Sequence, residues 1–404
     1  MMIVRSIKRF VLLIIVSFFL DSCNNEKSIN LFDHHVYIWQ RVWTPSINSS
    51  ILHSRSEFPV LHILVSEMEL SGKIIDANPD YSFLVSNQCK IIPVFRINGR
   101  SPDSSWNTVI SHIDTVINQV KKKNVSIQGI EIDYDCASSK LSDYAVVLHK
   151  IRQLIDSNVS LSITALPSWI NEPNLPQVLI ECNYSVLQVH SVSDPQNGIF
   201  NNKLAFNNIM QYNSITPVPF RVALPAYSSL IQFDESGKAV LVENEIVRTF
   251  RNRSNAKECE VDPVIVNNMI HKLNKKSLNK LKGYVWFRLP VIEDRRSWTL
   301  PTLLSVVNNE RLYSHLKIIS ERKNGIFDLK LKNEGNIDAM ISSIDVSAVN
   351  CSIEEPLSNF SIIKVQSALC FTLLSPLKIK AGHTIPVGWL KCDSIKEITI
   401  RESK

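Results

Sequence analysis

From His35 onward, short β-branched apolar runs alternate with stretches in which apolar residues return every three or four positions. The runs are His35 to Arg41, Pro59 to Ser66, Lys90 to Ile97, Gln128 to Tyr134, Ser160 to Leu166, Ser185 to Val189, Phe220 to Leu224 and Tyr284 to Leu289. Apolar segments of this length read as buried strands. Between the third and fourth runs, Trp106, Val109, Ile110, Ile113, Val116, Ile117 and Val120 fall at helical spacing behind Pro102-Asp103-Ser104, residues suited to start a helix. Tyr144, Val147, Leu148, Ile151, Leu154 and Ile155 do the same after the fourth run. Three strands end in Leu-Pro, at Pro167, Pro225 and Pro290, where the missing N–H stops sheet pairing. A turn at Phe233-Asp234-Glu235-Ser236-Gly237 lengthens the last repeat. Eight β-α repeats over residues 34–314 predict an α/β chain folded as a (β/α)8 TIM barrel rather than a doubly wound sheet.

From about His315 the helical period disappears. Ile326-Phe327-Asp328-Leu329-Lys330-Leu331-Lys332 alternates apolar and polar, the turn Asn333-Glu334-Gly335-Asn336 follows, and Met340 to Val349 continues the pattern. Residues 315–404 are therefore expected to form a small all-β sandwich. Its role is expected to be a spacer or packing unit, with carbohydrate binding as the alternative.

The N-terminus carries an address. Arg5, Lys8 and Arg9 precede an apolar run from Phe10 to Leu20, eleven residues long, short of the about 20 needed to span a bilayer. It reads as a signal peptide. Leu20-Asp21-Ser22-Cys23 resembles the lipobox of bacterial lipoproteins, which implies removal of residues 1–22, acylation of Cys23 and a polar tether over residues 24–33. The resemblance places the chain in the bacterial cell envelope, membrane-anchored, at the outer membrane or the periplasmic face; Asn24 is not the Asp that retains many lipoproteins in the inner membrane.

Composition narrows the chemistry. Of 404 residues, 44 are Lys or Arg and 38 Asp or Glu, a net charge of +6 dispersed along the chain, so nucleic acid is not an expected partner. Ten glycines without Walker A or dinucleotide-loop spacing argue against a nucleotide cofactor, and no cofactor is expected. The sequence has no His-Glu-x-x-His, Gly-x-Ser-x-Gly or Cys-x-x-Cys. Without Cys23 seven cysteines remain, an odd number; one bridge among Cys351, Cys370 and Cys392, or buried free thiols, fit equally, and no disulfide framework is expected. The chain is expected to be a monomer.

The fourth run, Gln128-Gly129-Ile130-Glu131-Ile132-Asp133-Tyr134-Asp135, carries the chemistry. With a side-chain period of two, Ile130, Ile132 and Tyr134 face one way and Glu131, Asp133 and Asp135 the other. Since the isoleucines belong under the helices, the carboxylates are expected in the barrel interior, a place usually filled by Val, Ile and Leu. Neighbouring like charges raise at least one carboxyl pKa, as a general acid requires.

The segment resembles the strand-four signature Asp-Gly-x-Asp-x-Asp-x-Glu of family 18 glycoside hydrolases, with Asp135 at the acid, Asp133 and Glu131 at the inner pair and Gln128 at the first Asp. Aspartate replaces glutamate at the acid. The whole barrel is similar to a bacterial lipoprotein family catalogued as domain of unknown function 3142, on Gly129 to Asp135, Leu161-Ser162-Ile163-Thr164-Ala165-Leu166-Pro167-Ser168-Trp169, Leu187-Gln188-Val189-His190 and Gly283-Tyr284-Val285-Trp286-Phe287-Arg288-Leu289-Pro290. The resemblance implies a hydrolase-like barrel with a glycan as partner, and for an N-acetylated sugar, Asp133 orienting the amide as internal nucleophile.

Other groups lie near strand ends, where barrel enzymes hold their sites. Trp39, Trp169, Tyr227 and Trp286 offer flat faces for sugar rings, Gln188 and His190 offer hydrogen bonds, and Arg41, Arg96 and Arg288 offer counter-charges. Three functions remain open: a glycosidase, a glycan-binding lipoprotein with a degenerate acid, and a hydrolase holding a hard cation on Glu131, Asp133, Asp135 and His190. The first is preferred, with no metal.

Overall fold

A computed structural model describes residues 32–100, 106–190, 198–243, 255–365 and 368–402. Cys23, residues 24–31 of the expected tether and Pro102-Asp103-Ser104 lie outside the described residues, and Asp33, the last residue of that tether, instead begins the first strand. Eight parallel strands form the barrel wall: β1 (Asp33–Ile38), β2 (Val60–Met68), β3 (Lys90–Ile97), β4 (Gly129–Tyr134), β5 (Ser160–Ala165), β6 (Tyr184–Gln188), β7 (Phe220–Pro225) and β8 (Leu281–Phe287). Each pairs with the next in sequence and β8 pairs with β1, which closes the sheet. The eight expected runs are these eight strands.

A helix follows every strand: α1 (Pro45–Ser54), α2 (Tyr81–Ser86), α3 (Trp106–Lys122), α4 (Leu141–Leu154), α5 (Leu175–Leu179), α6 (Asn202–Ile215), α7 (Pro263–Asn274) and α8 (Leu300–Val307). In α3, Val109, Ile113, Val116, Ile117 and Val120 are the buried stripe, spaced to face one side of a 3.6-residue helix. They pack with Ile130, Ile132 and Tyr134 of β4. The segment after β7 forms a small antiparallel sheet of Ser229–Phe233, Ala239–Glu243 and Ala256–Cys259 before α7, and Phe233-Asp234-Glu235-Ser236-Gly237 turns between its first two strands.

Alternation around the wall is consistent. Val36, Leu61, Ile91, Ile130, Leu161, Leu187, Val222 and Trp286 join the core beneath the helices. Tyr37, Leu64, Val94, Val186, Ala223 and Val285 form a second cluster inside the barrel. The inward positions between these apolar groups hold Glu131, Asp133, His62, Ser162 and Thr164, all buried.

After α8 come only strands among the described residues: β9 (Leu316–Lys323), β10 (Ile326–Asn333), β11 (Ala339–Val349), β12 (Ile353–Pro356), β13 (Phe360–Val365), β14 (Ala368–Ile379), β15 (Thr384–Lys391) and β16 (Ser394–Glu402). They make two four-stranded antiparallel sheets, ordered β9-β10-β15-β12 and β13-β14-β11-β16. Leu329, Leu331, Val387 and Leu390 from one sheet share a core with Ile341, Ile344, Val346 and Phe371 from the other. Cys351 and Cys392 form a disulfide, while Cys89, Cys136, Cys182, Cys259 and Cys370 are free thiols. Lys380 Nζ reaches back to the carbonyls of Asp294 at 3.0 Å and Ser297 at 3.2 Å, joining sandwich to barrel. Among the described residues no helix is long and apolar enough to cross a membrane.

Candidate functional site

Strand register decides which polar groups meet inside the wall. Arg96 on β3 lies opposite Asp133 on β4, and Glu131 lies opposite Ser162 on β5. Neighbouring inward residues on paired strands are within side-chain reach. Asp133 is accordingly saturated: Thr164 donates to Oδ1 at 2.7 Å, Gln188 to the same oxygen at 3.2 Å, and Arg96 to Oδ2 at 2.8 Å. Its side chain is 1% exposed. The three donors, one of them a guanidinium, match a buried carboxylate that would otherwise lack partners.

Asp135 stands one step beyond the end of β4. Its Oδ2 meets Arg96 at 3.4 Å, its buried Oδ1 has no hydrogen-bond partner among the described residues, and its side chain as a whole is 34% exposed. The expected three interior carboxylates are thus two in the lumen and one at its mouth, because the strand ends at Tyr134. Burial, and then the Asp133 charge, push the Asp135 carboxyl up to about 7, against the opposing pull of Arg96. Gly99 lets the chain leaving β3 pass against the Asp135 backbone: any Cβ there would strike its carbonyl oxygen.

Glu131, 0% exposed, lies deeper. Tyr37 donates to its Oε1 at 2.6 Å, and its Oε2 meets His62 Nδ1 at 3.0 Å and Ser162 Oγ at 3.4 Å. Among the described residues no group of His, Cys, Asp and Glu is arranged to hold a metal ion. The carboxylates face these partners along the wall, and His190 turns toward Tyr227, its Nδ1 3.3 Å from the hydroxyl. That arrangement offers no shared cation position for Glu131, Asp133, Asp135 and His190.

The arginines divide. Arg96 serves the carboxylates and lies over the Trp39 ring, 5.8 Å from its centroid. Arg41 binds Glu67, and Arg288 binds Asp294 at 2.6 Å, so neither neutralises the group. Trp39, Tyr227 and His190 gather around Phe287, with ring centroids 5.1 to 5.4 Å from it. Burial drives the His190 imidazole down to about 4, and its Nε2 has no partner among the described residues.

Trp286 and Trp169 are elsewhere. Both are 0% exposed in the core beneath the helices. Trp286 follows Val285, which faces inward, so period two turns it outward; its Nε1 donates to His34 Nδ1 at 3.0 Å. Trp169 donates to the Cys136 carbonyl at 3.1 Å and holds the chain that follows Asp135. The structure corrects both from ring platforms to packing residues.

His35, Tyr37, His62, Glu67 and Thr164 join the polar network although the sequence reading passed over them. For His35, Tyr37, His62 and Thr164 the signal is the two-residue period of β1, β2 and β5, which points each of them inward. Glu67 lies beyond a register shift between Leu64 and Ser66, so a strict period sends it outward. Two cavities, about 490 Å³ and 320 Å³, lie where the loops after β7 and β8 meet the sandwich, away from the carboxylates. The first touches the site through Tyr227. Residues 101–105 and 191–197 lie outside the described residues.

The spore cortex-lytic enzyme SleL of Bacillus megaterium QM B1551 is similar at 12% identity over 69% of this chain and 74% of that one, with a TM-score of 0.49. A chitinase of Chromobacterium violaceum ATCC 12472 is similar at 10% identity over 65% and 96%, TM-score 0.46. A xylanase and alpha-amylase inhibitor protein of Scadoxus multiflorus is similar at 12% identity over 70% and 99%, TM-score 0.45. The barrel itself rests on its strand pairing, not on these likenesses. No curated protein matches. Residues 316–393, within the sandwich, match a family described as domain of unknown function DUF8456. Residues 88–292, just over half of the chain and the part from β3 to the loop after β8, match another, and the chain belongs to that family, domain of unknown function DUF3142.

Proposed function

We propose that this chain is a glycoside hydrolase-like enzyme of the bacterial envelope in which Asp135 is the general acid. The observation that carries the reading is the divided environment of the Asp133–Asp135 pair. Asp133 accepts hydrogen bonds from Arg96, Thr164 and Gln188, whereas the Asp135 carboxyl is pushed up to about 7 and its buried Oδ1 has no partner among the described residues. Cleavage of a glycosidic bond uses two carboxyl groups in different surroundings: one delivers a proton to the leaving oxygen, the other supports positive charge at the anomeric carbon. The likeness of Glu131 to Asp135 to the family 18 signature supports the same roles. For an N-acetylated sugar, Asp133 would orient the amide, and Gln188, the longest of its three contacts, is the donor that amide would replace. Trp39, His190 and Tyr227 would border the sugar.

The test is turnover of a panel of glycans by the wild type and Asp135→Asn. The variant should fold, keep its sugar affinity and lose at least about 10²-fold in turnover, the loss expected for a positioned acid. Undiminished activity removes the mechanism. A second reading, a glycan-binding protein without catalysis, is favoured by Asp135 itself, one methylene shorter than the glutamate it replaces. Binding without turnover in the wild type selects it. The envelope assignment rests on Cys23: the lipoprotein reading expects Cys23→Ala to lose fatty-acid labelling and membrane partitioning, and retention of both rejects it.

A further inference from the structure

Beneath the proposed acid pair, an unbroken line of titratable groups crosses the barrel floor. Asp33, at the start of β1, has a half-exposed side chain gripped by Arg221 through two contacts of 2.7 and 2.8 Å. Its Oδ2 is 3.6 Å from His35 Nε2, the loosest link and the one at the solvent end. His35 Nδ1 is 3.0 Å from His62 Nε2, and His62 Nδ1 is 3.0 Å from Glu131 Oε2. Both histidines are buried, His62 completely. Gly283 keeps the solvent end open for this pairing, since a Cβ there would collide with Asp33 and Arg221. Buried polar groups at positions usually apolar are costly, and each here is matched to the next.

Both nitrogens of each ring face a partner, so the three contacts require three hydrogens. With Asp33 ionised and His62 neutral, two placements satisfy all three. In one, His35 is an imidazolium beside the Asp33 carboxylate, its Nδ1–H points to His62 Nε2, and His62 Nδ1–H points to an ionised Glu131. In the other, His35 and His62 are neutral with hydrogens on Nε2, and Glu131 carries the proton that points to His62. Two hops interconvert them. The His35 Nδ1–H bond breaks as His62 Nε2–H forms, and the His62 Nδ1–H bond breaks as Glu131 O–H forms. The charges on His35 and Glu131 vanish together; no atom leaves the line.

We propose that Asp33, His35, His62 and Glu131 are a proton relay through the barrel floor, by which the solvent end sets whether Glu131 is charged beneath Asp133 and Asp135. Asp33, Arg221 and His62 face His35; His35, Tyr37 and Glu131 face His62; Tyr37, Tyr184 and Asp133 act on or near Glu131. Burial pushes the His35 imidazole down to about 4, with Asp33 opposing, and holds the Tyr37 and Tyr184 hydroxyls protonated. With His35 neutral and holding its hydrogen on Nε2, its Nδ1 accepts from His62 Nε2. Asp33, His35 and His62 are positioning residues. Their effect on the acid pair rests on the proposed function; the relay itself does not.

The experiment is a pH titration of ring-nitrogen chemical shifts in the full chain labelled with ¹⁵N-histidine, for wild type, Asp33→Asn and Arg221→Gln. The relay predicts His35 and His62 both protonated on Nε2 at pH 7. It also predicts that either substitution moves the His62 ring signals, although neither residue touches His62. His62 signals identical in wild type and every folded variant across the titration overturn the relay. Because the readout is a ring shift, it is unaffected by whether any glycan is cleaved; loss of the glycosidase reading with the His62 shifts intact would separate the two.

Discussion

Two interiors in this chain are walled by strands of alternating pattern, and they are filled in opposite ways. The sandwich packs Leu329, Leu331, Ile341, Ile344, Val346 and Phe371 against one another. Its buried Asn333 is fully employed holding backbone: Nδ2 donates to the carbonyls of Ile337 at 2.9 Å and Ile379 at 3.0 Å, and Oδ1 accepts from Gly335 N–H at 2.9 Å. The barrel lumen places Glu131, Asp133, His62 and Arg96 where an apolar layer would be cheaper. The sandwich obeys the rule for stability. The lumen departs from it along one line of residues, and departures of that kind collect at functional sites.

The most severe way to break the comparison is to remove one member of the buried lumen set. Glu131→Ala leaves Tyr37 and His62 facing a hole with no acceptor, and each buried group left without its partner costs about 1–3 kcal/mol. Urea unfolding should report that loss. A loss below about 1 kcal/mol would mean that the lumen network is not held to full pairing, and the contrast with the sandwich would weaken.

On the sandwich side the sharpest test is the disulfide. Cys351 and Cys392 are 41 residues apart in sequence. Closing a loop of that length constrains the unfolded chain by about 2–4 kcal/mol. Cys351→Ser combined with Cys392→Ser should lower the free energy of unfolding in urea by that amount, with an unchanged environment for Trp39 and Trp169 in the barrel. If the barrel tryptophans report the whole loss, the two interiors unfold as one.

The legible part of the molecule was whatever repeats. Eight apolar runs became eight strands, and the switch to alternation after His315 became two antiparallel sheets. The carboxylates of β4 were legible because three acids at a period of two contradict a barrel wall. Their partners were harder to see, since His62 and Thr164 are single polar residues in otherwise apolar strands and acquire meaning only when register sets them beside Glu131 and Asp133. Trp286 was misplaced for a related reason: its position near a strand end suggested a platform, while the parity of β8 sends Val285 and Phe287 inward and Trp286 out. The pairing of Cys351 with Cys392 was open because three cysteines shared that region, and only β15 and the turn beside it bring those two together.

The smallest expected effect is the most discriminating, because its sign separates a site from a structural ion pair. Asp135 has its pKa raised from 3.8 to about 7, with burial as the first cause and the Asp133 charge as the second. The folded state therefore retains a proton that the unfolded chain releases between those values, and stability falls as pH rises through that window. Above about pH 7 the ionised carboxylate carries the full cost of its surroundings. Asp135→Asn keeps the shape and removes the charge, so the variant should match the wild type near pH 4 and exceed it at pH 8. The side chain is 34% exposed; solvent screening reduces the gain to about 1 kcal/mol. Urea midpoints of both proteins at pH 4 and pH 8 measure it. A variant less stable than wild type at pH 8 would mean that the Arg96 contact outweighs burial and the Asp133 charge, and Asp135 would then be a structural partner of Arg96. A gain in stability together with the loss of turnover is the signature of a group kept for chemistry at the expense of the fold.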